Sequence, residues 1–88
     1  MQLILIYDIV HDGTRTKVSN LCLDYGLDRI QFSAFEGQLK RTQQEALMLQ
    51  IKKVLTGKEG EVRLIPISQS EWAGQLMVRN VVQGEVKP

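Results

Sequence analysis

The sequence of 88 residues is 43% hydrophobic and 24% charged, which is the composition of one globular domain and excludes a disordered chain. The net charge of +1 gives no nucleic-acid signal, so such a surface would have to come from local charge placement or from two subunits side by side. The single cysteine, Cys22, excludes an internal disulfide and a thiolate zinc site, and we expect it to be a buried structural thiol.

No stretch resembles a signal peptide or a membrane helix. The run Leu3–Val10 is apolar, but it lacks a basic flank and is far shorter than the ~20 residues that a membrane helix needs. We therefore expect a cytoplasmic protein that does not contact the membrane.

The first predicted elements are a strand and a helix. The run Leu3–Val10 is almost continuously apolar and rich in β-branched residues, which is typical of a central strand. The next segment has apolar residues at spacings of three, four and seven, which predicts a helix from about Thr14 to Tyr25. Gly26 follows, where a helix end favours glycine.

The segment Asp28–Leu39 alternates with a period of two and is predicted as strand. It is long for one strand. A reversal near Phe32-Ser33 would make it a short hairpin, although no Asn-Gly or Asp-Gly pair marks that turn. A capping-box pattern, Thr42 to Glu45, then predicts a second helix over Thr42–Thr56.

Two further strands are predicted in the last third of the chain. Glu61–Ile67 alternates, and Pro66 suits a strand end or edge. Leu76–Val82 is apolar again, and a bare strand at the end of a small domain is an exposed edge that a partner chain would cover.

The predicted order of elements is that of an α+β, ferredoxin-like βαββαβ fold, with an antiparallel sheet and two helices on one face. We expect the ferredoxin-like domain to span residues 1–67. Residues 68–88 are then a C-terminal extension that carries the extra strand.

Several short motifs resemble one known family over about three quarters of the chain. The sequence has Tyr7-Asp8-Ile9 at the end of the first strand, and Arg15 and Lys17 in the first helix. It then has Tyr25-Gly26-Leu27 and the stretch Arg-Ile-Gln-Phe-Ser-Ala-Phe-Glu-Gly over 29–37. In these features, and in its length, the sequence resembles the CRISPR-associated protein 2 family.

The resemblance implies a role in CRISPR adaptation, the acquisition of spacers in antiviral defence. It implies a homodimer that exchanges the C-terminal strand and that acts as a Mg²⁺-dependent endonuclease on RNA, on double-stranded DNA or on both. It also implies a CRISPR integrase subunit as partner. The alternative within the family is a non-catalytic structural adaptor that bridges integrase dimers and holds protospacer DNA.

Asp8 is the candidate catalytic residue and the candidate ligand of Mg²⁺ or another divalent cation. One aspartate is a poor site, but a two-fold dimer supplies a second Asp8, and such a cation needs only one or two carboxylates. Without the resemblance, a solvated aspartate at a strand end is the simpler interpretation. His11 is a weaker candidate as a proton relay, and Asp12 is expected to cap the first helix.

Arg15, Lys17 and Arg29 are the candidate nucleic-acid-binding residues, since guanidinium and ammonium groups bind phosphate. Pairing with the nearby Asp24 and Asp28 is the alternative. Many members of the family carry more acidic residues after the Asp-Ile pair than this sequence does. A function outside the family, as a small-molecule-sensing ferredoxin-like module, predicts a monomer without affinity for nucleic acid.

Overall fold

The structure of the protein is a computed structural model that describes residues 1–82. Over these residues the chain forms four strands and three helices. In chain order they are β1 (Gln2–Ile9), α1 (Asp12–Asp24), β2 (Asp28–Gln31), β3 (Ala34–Gln38), α2 (Arg41–Leu55), β4 (Gly60–Ile67) and α3 (Gln69–Ala73).

The four strands form one antiparallel sheet in the order β2-β3-β1-β4. This is the strand order of a ferredoxin-like fold, so the predicted fold class is confirmed. The strand β1 lies between β3 and β4, and it pairs with β4 over its whole length, from Gln2 opposite Ile67 to Ile9 opposite Gly60. A central position explains why this strand is apolar on both faces.

The core lies between the sheet and the two long helices. Alternate residues of β1 belong to it, and α1 and α2 contribute their apolar stripes. Full burial of each leucine or isoleucine stabilises the fold by about 1.5–3 kcal/mol. The fully or almost fully buried members from β1, α1 and α2 are Leu3, Leu5, Ile9, Val18, Cys22, Leu47 and Ile51.

The other side of the sheet is called the open face here. It carries Gln2, Ile4, Ile6 and Asp8 of β1, together with their β4 partners, among them Ile65. Ile4 is half-buried, and Ile6 and Ile65 are exposed. The open face therefore has an apolar strip of isoleucines along its middle, with Arg63 and Glu36 beside it and the Asp8 and Glu61 carboxylates at one end.

The segment after α1 is a hairpin, which was one of the two predicted alternatives. Phe32 and Ser33 form the turn, and neither has a positive φ, so the turn does not need the Asn-Gly pair that marks many two-residue hairpins. The register shifts between Arg29 and Gln31, where Ile30 is the extra residue.

The second helix begins one residue earlier than predicted, and its predicted N-cap, Thr42, is wrong by two residues. Lys40 is the N-cap, and its backbone N–H donates to Oε1 of Gln43 at 2.9 Å. Gln43 thus takes the reciprocal role that the Thr42–Glu45 pattern assigned to the glutamate. Glu45 instead pairs with Arg41 on the helix surface, Nε to Oε2 3.3 Å.

The C-terminal part differs from the prediction in two ways. A short helix, α3, follows β4 and is capped by Ser68, whose Oγ accepts from the backbone N–H of Glu71 at 3.2 Å. Residues 75–82 form neither helix nor strand, so the predicted strand Leu76–Val82 does not exist within one chain. Its exchange with a partner subunit stays a prediction, and 83–88 of the predicted extension lie outside the described residues. Among residues 1–82, no helix has the length and apolar character to cross a bilayer.

Candidate active site

Asp8 lies at the end of β1, on the open face, and is exposed. Its partner across the strands is Glu61 of β4, and residues directly opposite in an antiparallel pair point to the same side. Two carboxylates therefore stand next to each other at this edge of the sheet. Glu61 forms an ion pair with Arg63, Nε to Oε2 2.5 Å, whereas Asp8 has no ion-pair partner among residues 1–82.

A shallow depression opens over this pair. It is lined by Ile6 and Tyr7 on one strand, by Glu61 and Arg63 on the other, and by Asp8 itself. Exposed carboxylate oxygens are the donors that Mg²⁺ and similar hard cations prefer, and such cations keep several waters. The donors here fit that chemistry.

The donors of one chain are few. Among residues 1–82, no group of three or more histidine, cysteine, aspartate or glutamate side chains could hold a metal ion. Mg²⁺ usually binds through one or two carboxylates together with water and substrate phosphates. The chain by itself therefore offers two adjacent carboxylates at this edge, which are too few to hold a metal ion without further ligands.

The backbone around Asp8 is held from the side of the core. The preceding residue, Tyr7, is 8% exposed, and its ring stacks on that of Phe35 with 6.3 Å between centroids. The Tyr7 N–H donates to the carbonyl oxygen of Ser33 at 3.1 Å. These contacts fix the end of β1, so the Asp8 carboxylate projects from a rigid strand and not from a loop.

Arg15 holds the loop that follows Asp8. Its Nη1 donates to the carbonyl oxygens of Ile9 at 2.9 Å and Val10 at 3.3 Å, and its Nη2 pairs with the Asp12 carboxylate. The guanidinium predicted to contact phosphate therefore already has three partners in the folded chain. Its role in nucleic-acid binding stays a prediction.

His11 and Asp12 have other roles than those expected. His11 is the N-cap of α1, and its Nδ1 accepts from the Thr14 N–H at 3.1 Å. The prediction that Asp12 caps this helix is wrong, because Asp12 is the first helical residue and pairs with Arg15. The same ring nitrogen lies 2.9 Å from the Thr14 hydroxyl, so the imidazole has a structural role at the helix start.

Arg29 is tied into the protein as well. Its Nη1 donates to the carbonyl oxygen of Phe32 at 2.5 Å, and its Nη2 bonds to the Ser19 hydroxyl. Its guanidinium carbon lies 5.0 Å from the centroid of the Phe35 ring, within the range of a cation–π contact. Its charge also acts on Cys22: burial raises the pKa of this thiol and the Arg29 charge opposes the rise, with a net pKa of about 11.

The thiol of Cys22 is buried, as predicted. Its raised pKa keeps it protonated at neutral pH, so it is an inert thiol.

Lys17 is the third predicted nucleic-acid-binding residue, and its side chain is not held by other groups in the way that Arg15 and Arg29 are. It lies on α1, is exposed, and forms no ion pair among residues 1–82. The structure thus brings Arg15 close to the end of β1 and leaves Lys17 exposed on the helix. The nucleic-acid role of these residues stays a prediction.

Glu61 is the residue at this site that the sequence analysis missed. The alternation of 61–67 placed it at the start of a strand, but not beside Asp8. Glu61 lies next to Asp8 because of the register between two strands that are more than 50 positions apart in the sequence. No local sequence pattern predicts that register.

The fold and this strand end together define a small ferredoxin-like domain with an acidic candidate site on its open face. The sequence model of the family described as "CRISPR associated protein Cas2" matches residues 1–74, and the chain belongs to this family. The resemblance in the sequence motifs is thereby confirmed.

Relatives and solved structures agree with this assignment. The chain is 45% identical over 73 residues to "CRISPR-associated endoribonuclease Cas2 2" of Chloroflexus aurantiacus, which covers 83% of this chain and 86% of the relative. It is 29% identical over 69 residues to a "CRISPR-associated endonuclease Cas1/endonuclease Cas2 fusion" of Thermoproteus tenax, covering 78% of this chain and 26% of the fusion. The crystal structure of Streptococcus pyogenes Cas2 at pH 6.5 has the same fold, with a TM-score of 0.75, 20% identity, and coverage of 91% of this chain and 100% of that chain.

Proposed function

We propose that the protein is a divalent-metal-dependent endoribonuclease of CRISPR adaptation, which acts in the cytoplasm as a homodimer with Asp8 of both subunits at the two-fold axis. The observation that carries the proposal is the position of Asp8, an exposed carboxylate without an ion-pair partner among residues 1–82, at the rigid end of a central strand. The name of the Chloroflexus aurantiacus relative supports RNA as the substrate.

The open face supports the homodimer. Ile6 and Ile65 are exposed there and Ile4 is half-buried, so an apolar surface extends from the site along the middle of the sheet. A contact between two copies of one face repeats every residue about the axis. If the open faces of two subunits pack together, the two apolar strips are buried and the two Asp8 carboxylates are brought towards each other.

The paired carboxylates explain why a cation would bind. Two facing carboxylates repel each other unless a cation or a proton lies between them. The bound cation would polarise a phosphodiester and lower the pKa of a coordinated water. The protein would hold the Asp8 carboxylate of each subunit rigidly. The hydrogen bond of the Tyr7 N–H and the stacking of the Tyr7 ring on Phe35 fix the backbone next to it.

The test compares cleavage of single-stranded RNA and of duplex DNA by wild type and by Asp8→Asn, with Mg²⁺ and with a chelator. Asp24→Asn is the matched control, since Asp24 is also an exposed aspartate but lies at the end of α1. We expect Mg²⁺-dependent RNA cleavage by wild type and by Asp24→Asn, and none by Asp8→Asn. Equal activity of the two variants would refute the proposal, and cleavage of duplex DNA alone would refute the choice of RNA.

A second candidate function, the structural adaptor, is favoured by a different part of the molecule. Leu76 and Val78 follow α3 and are 98% and 99% exposed, so the chain presents apolar side chains that its own core does not use. In the Thermoproteus tenax relative, a Cas2 segment is joined to Cas1, which supports an integrase subunit as the partner.

The adaptor function is tested by Leu76→Ser combined with Val78→Ser, and by size-exclusion chromatography with the integrase subunit. We expect these changes to prevent assembly and to leave the fold intact, while Asp8→Asn assembles normally. If the double variant still assembles with the integrase, residues 76–78 are not the docking surface.

A further inference from the structure

Phe32 stands outside the core at the tip of the β2–β3 turn. It is 79% exposed, whereas Phe35, three residues further along, is fully buried. The turn that carries it is nevertheless held in place. The carbonyl oxygen of Phe32 accepts from Arg29 Nη1 at 2.5 Å and, more weakly, from the Tyr7 hydroxyl at 3.4 Å. A phenyl ring is thus presented to solvent on a fixed piece of backbone.

The pairing of β1 with β3 places this ring beside the candidate active site. Ile6 lies opposite Ala34, and the Tyr7 N–H donates to the carbonyl oxygen of Ser33. The β1–β3 ladder ends there, and Phe32 lies in the turn just beyond it, at the end of the sheet where β1 also ends. Phe32 and Asp8 therefore flank the same end of the sheet.

A cleft connects Phe32 with the basic residues of this end. It runs between α1 and the turn, and Phe32, Tyr7 and Asn20 are among the residues that line it. The charged side chains that line it are those of Arg15, Arg29 and Asp12, so the cleft carries a net charge of +1. Tyr7 also lines the depression that contains Asp8, so the end of β1 separates the cleft on the helix side from the depression on the open face.

This combination suits an unpaired nucleotide. An aromatic ring offers a stacking surface to any base, and guanidinium groups in the same groove favour the phosphates on either side of it. Arg29 lies over the Phe32 ring, 6.0 Å from its centroid, so its positive charge is also close to a stacked base. A base in a duplex is already stacked and would gain little from the ring.

We propose that Phe32 is a stacking platform for an unpaired base of single-stranded RNA, next to the phosphodiester that Asp8 serves. The inference rests on the proposed endoribonuclease function, to which it adds a base-binding subsite. It makes the preference for single strands a property of one side chain.

The test measures binding by fluorescence anisotropy in a chelator, so that binding is separated from cleavage. The probes are a short single-stranded RNA, the same RNA annealed to its complement, and versions of the single strand with one abasic position each. The variants are Phe32→Leu, which keeps an apolar side chain without a ring, and Phe32→Trp, which keeps the ring. Leu49→Ala is the control, since Leu49 is exposed on α2 and does not line the cleft.

We expect Phe32→Leu to bind the single strand roughly 5- to 100-fold more weakly than wild type does, and the duplex equally well. Phe32→Trp and Leu49→Ala should bind the single strand like wild type. One abasic position should weaken binding to wild type and have no effect on Phe32→Leu.

Several results would overturn the inference. Equal binding of the single strand by Phe32→Leu and wild type would do so, as would a loss of affinity that is the same for single strand and duplex. Loss of self-association in Phe32→Leu, measured by sedimentation, would make Phe32 an interface residue instead. The cleavage test with Asp8→Asn separates the two proposals, because it does not depend on Phe32.

Discussion

Replacement of Asp8 by asparagine should change stability and activity in opposite directions. Asp8 lies directly across the strands from Glu61, and like charges in that position destabilise a sheet. Asparagine keeps the shape and removes the charge, so the unfolding free energy of the metal-free protein should rise by about 0.2–1 kcal/mol. For a domain of this size, that is a rise of about 1–8 °C in Tm.

A divalent cation should reverse this order. If the cation binds the folded state and not the unfolded state, a cation concentration 100 times the Kd adds about 2.7 kcal/mol to the unfolding free energy of wild type. Asp8→Asn should gain little, so wild type becomes the more stable protein when Mg²⁺ is present. The same variant should lose Mg²⁺-dependent cleavage of RNA.

The assay is urea unfolding followed by circular dichroism, at fixed protein concentration, with Mg²⁺ and with a chelator. Glu61→Gln is the informative second variant, because it also removes the repulsion but breaks the ion pair with Arg63. The reasoning would be refuted if Asp8→Asn were less stable than wild type in the chelator, or if Mg²⁺ stabilised both proteins equally.

Three further predictions concern the residues around the site. Arg29→Met should lower the unfolding free energy by about 1–3 kcal/mol, because it removes hydrogen bonds to Ser19 and to the turn, and urea unfolding would measure the loss. Lys17→Met should leave the unfolding free energy within about 0.5 kcal/mol of that of wild type, but it should weaken RNA binding. The slope of log K against log salt concentration, measured by anisotropy titration, should fall by about 1. The pKa of Cys22 is raised to about 11 in the folded state, so the protonated thiol favours folding below pH 9.0. This contribution of about 2–3 kcal/mol to the unfolding free energy should be lost as the pH rises from 9.0 to about 11. Urea unfolding of wild type and of Cys22→Ala over that pH range would measure the loss.

Local patterns were enough to predict the order of elements from β1 to β4, and thereby the fold. The apolar run of β1, the stripes of α1 and α2 and the alternation of 61–67 each report on burial of a face, and burial decides where these segments lie. The hairpin turn at Phe32-Ser33 was harder, because a turn without positive φ needs no special residue. The helix α3 had a signal, since Ser68 and Glu71 have the spacing of a capping box, but it is too short for an apolar stripe.

The candidate site could be predicted only in part. Asp8 was identified through the family resemblance, since a charge at the end of an apolar strand is by itself more simply a solvated residue, and its neighbour Glu61 depends on strand register. Arg15 and Arg29 were identified as cations without regard to the acceptors that the fold brings to them. These are the Ile9 and Phe32 carbonyl oxygens, which no sequence pattern describes.

Two features of the single chain would be accommodated by one and the same homodimer. Ile6 and Ile65 expose apolar area on the open face, and Asp8 and Glu61 alone are too few donors to hold a metal ion. A chain this short gains little stability from its own core, so burial between subunits is a large share of what it can gain. If the open faces pair, the contact that stabilises the domain is also the contact that brings the second Asp8. It follows that variants that weaken self-association, such as Ile6→Ser, should lose activity even though they leave every candidate catalytic side chain in place, and that activity should fall steeply on dilution below the dimer Kd.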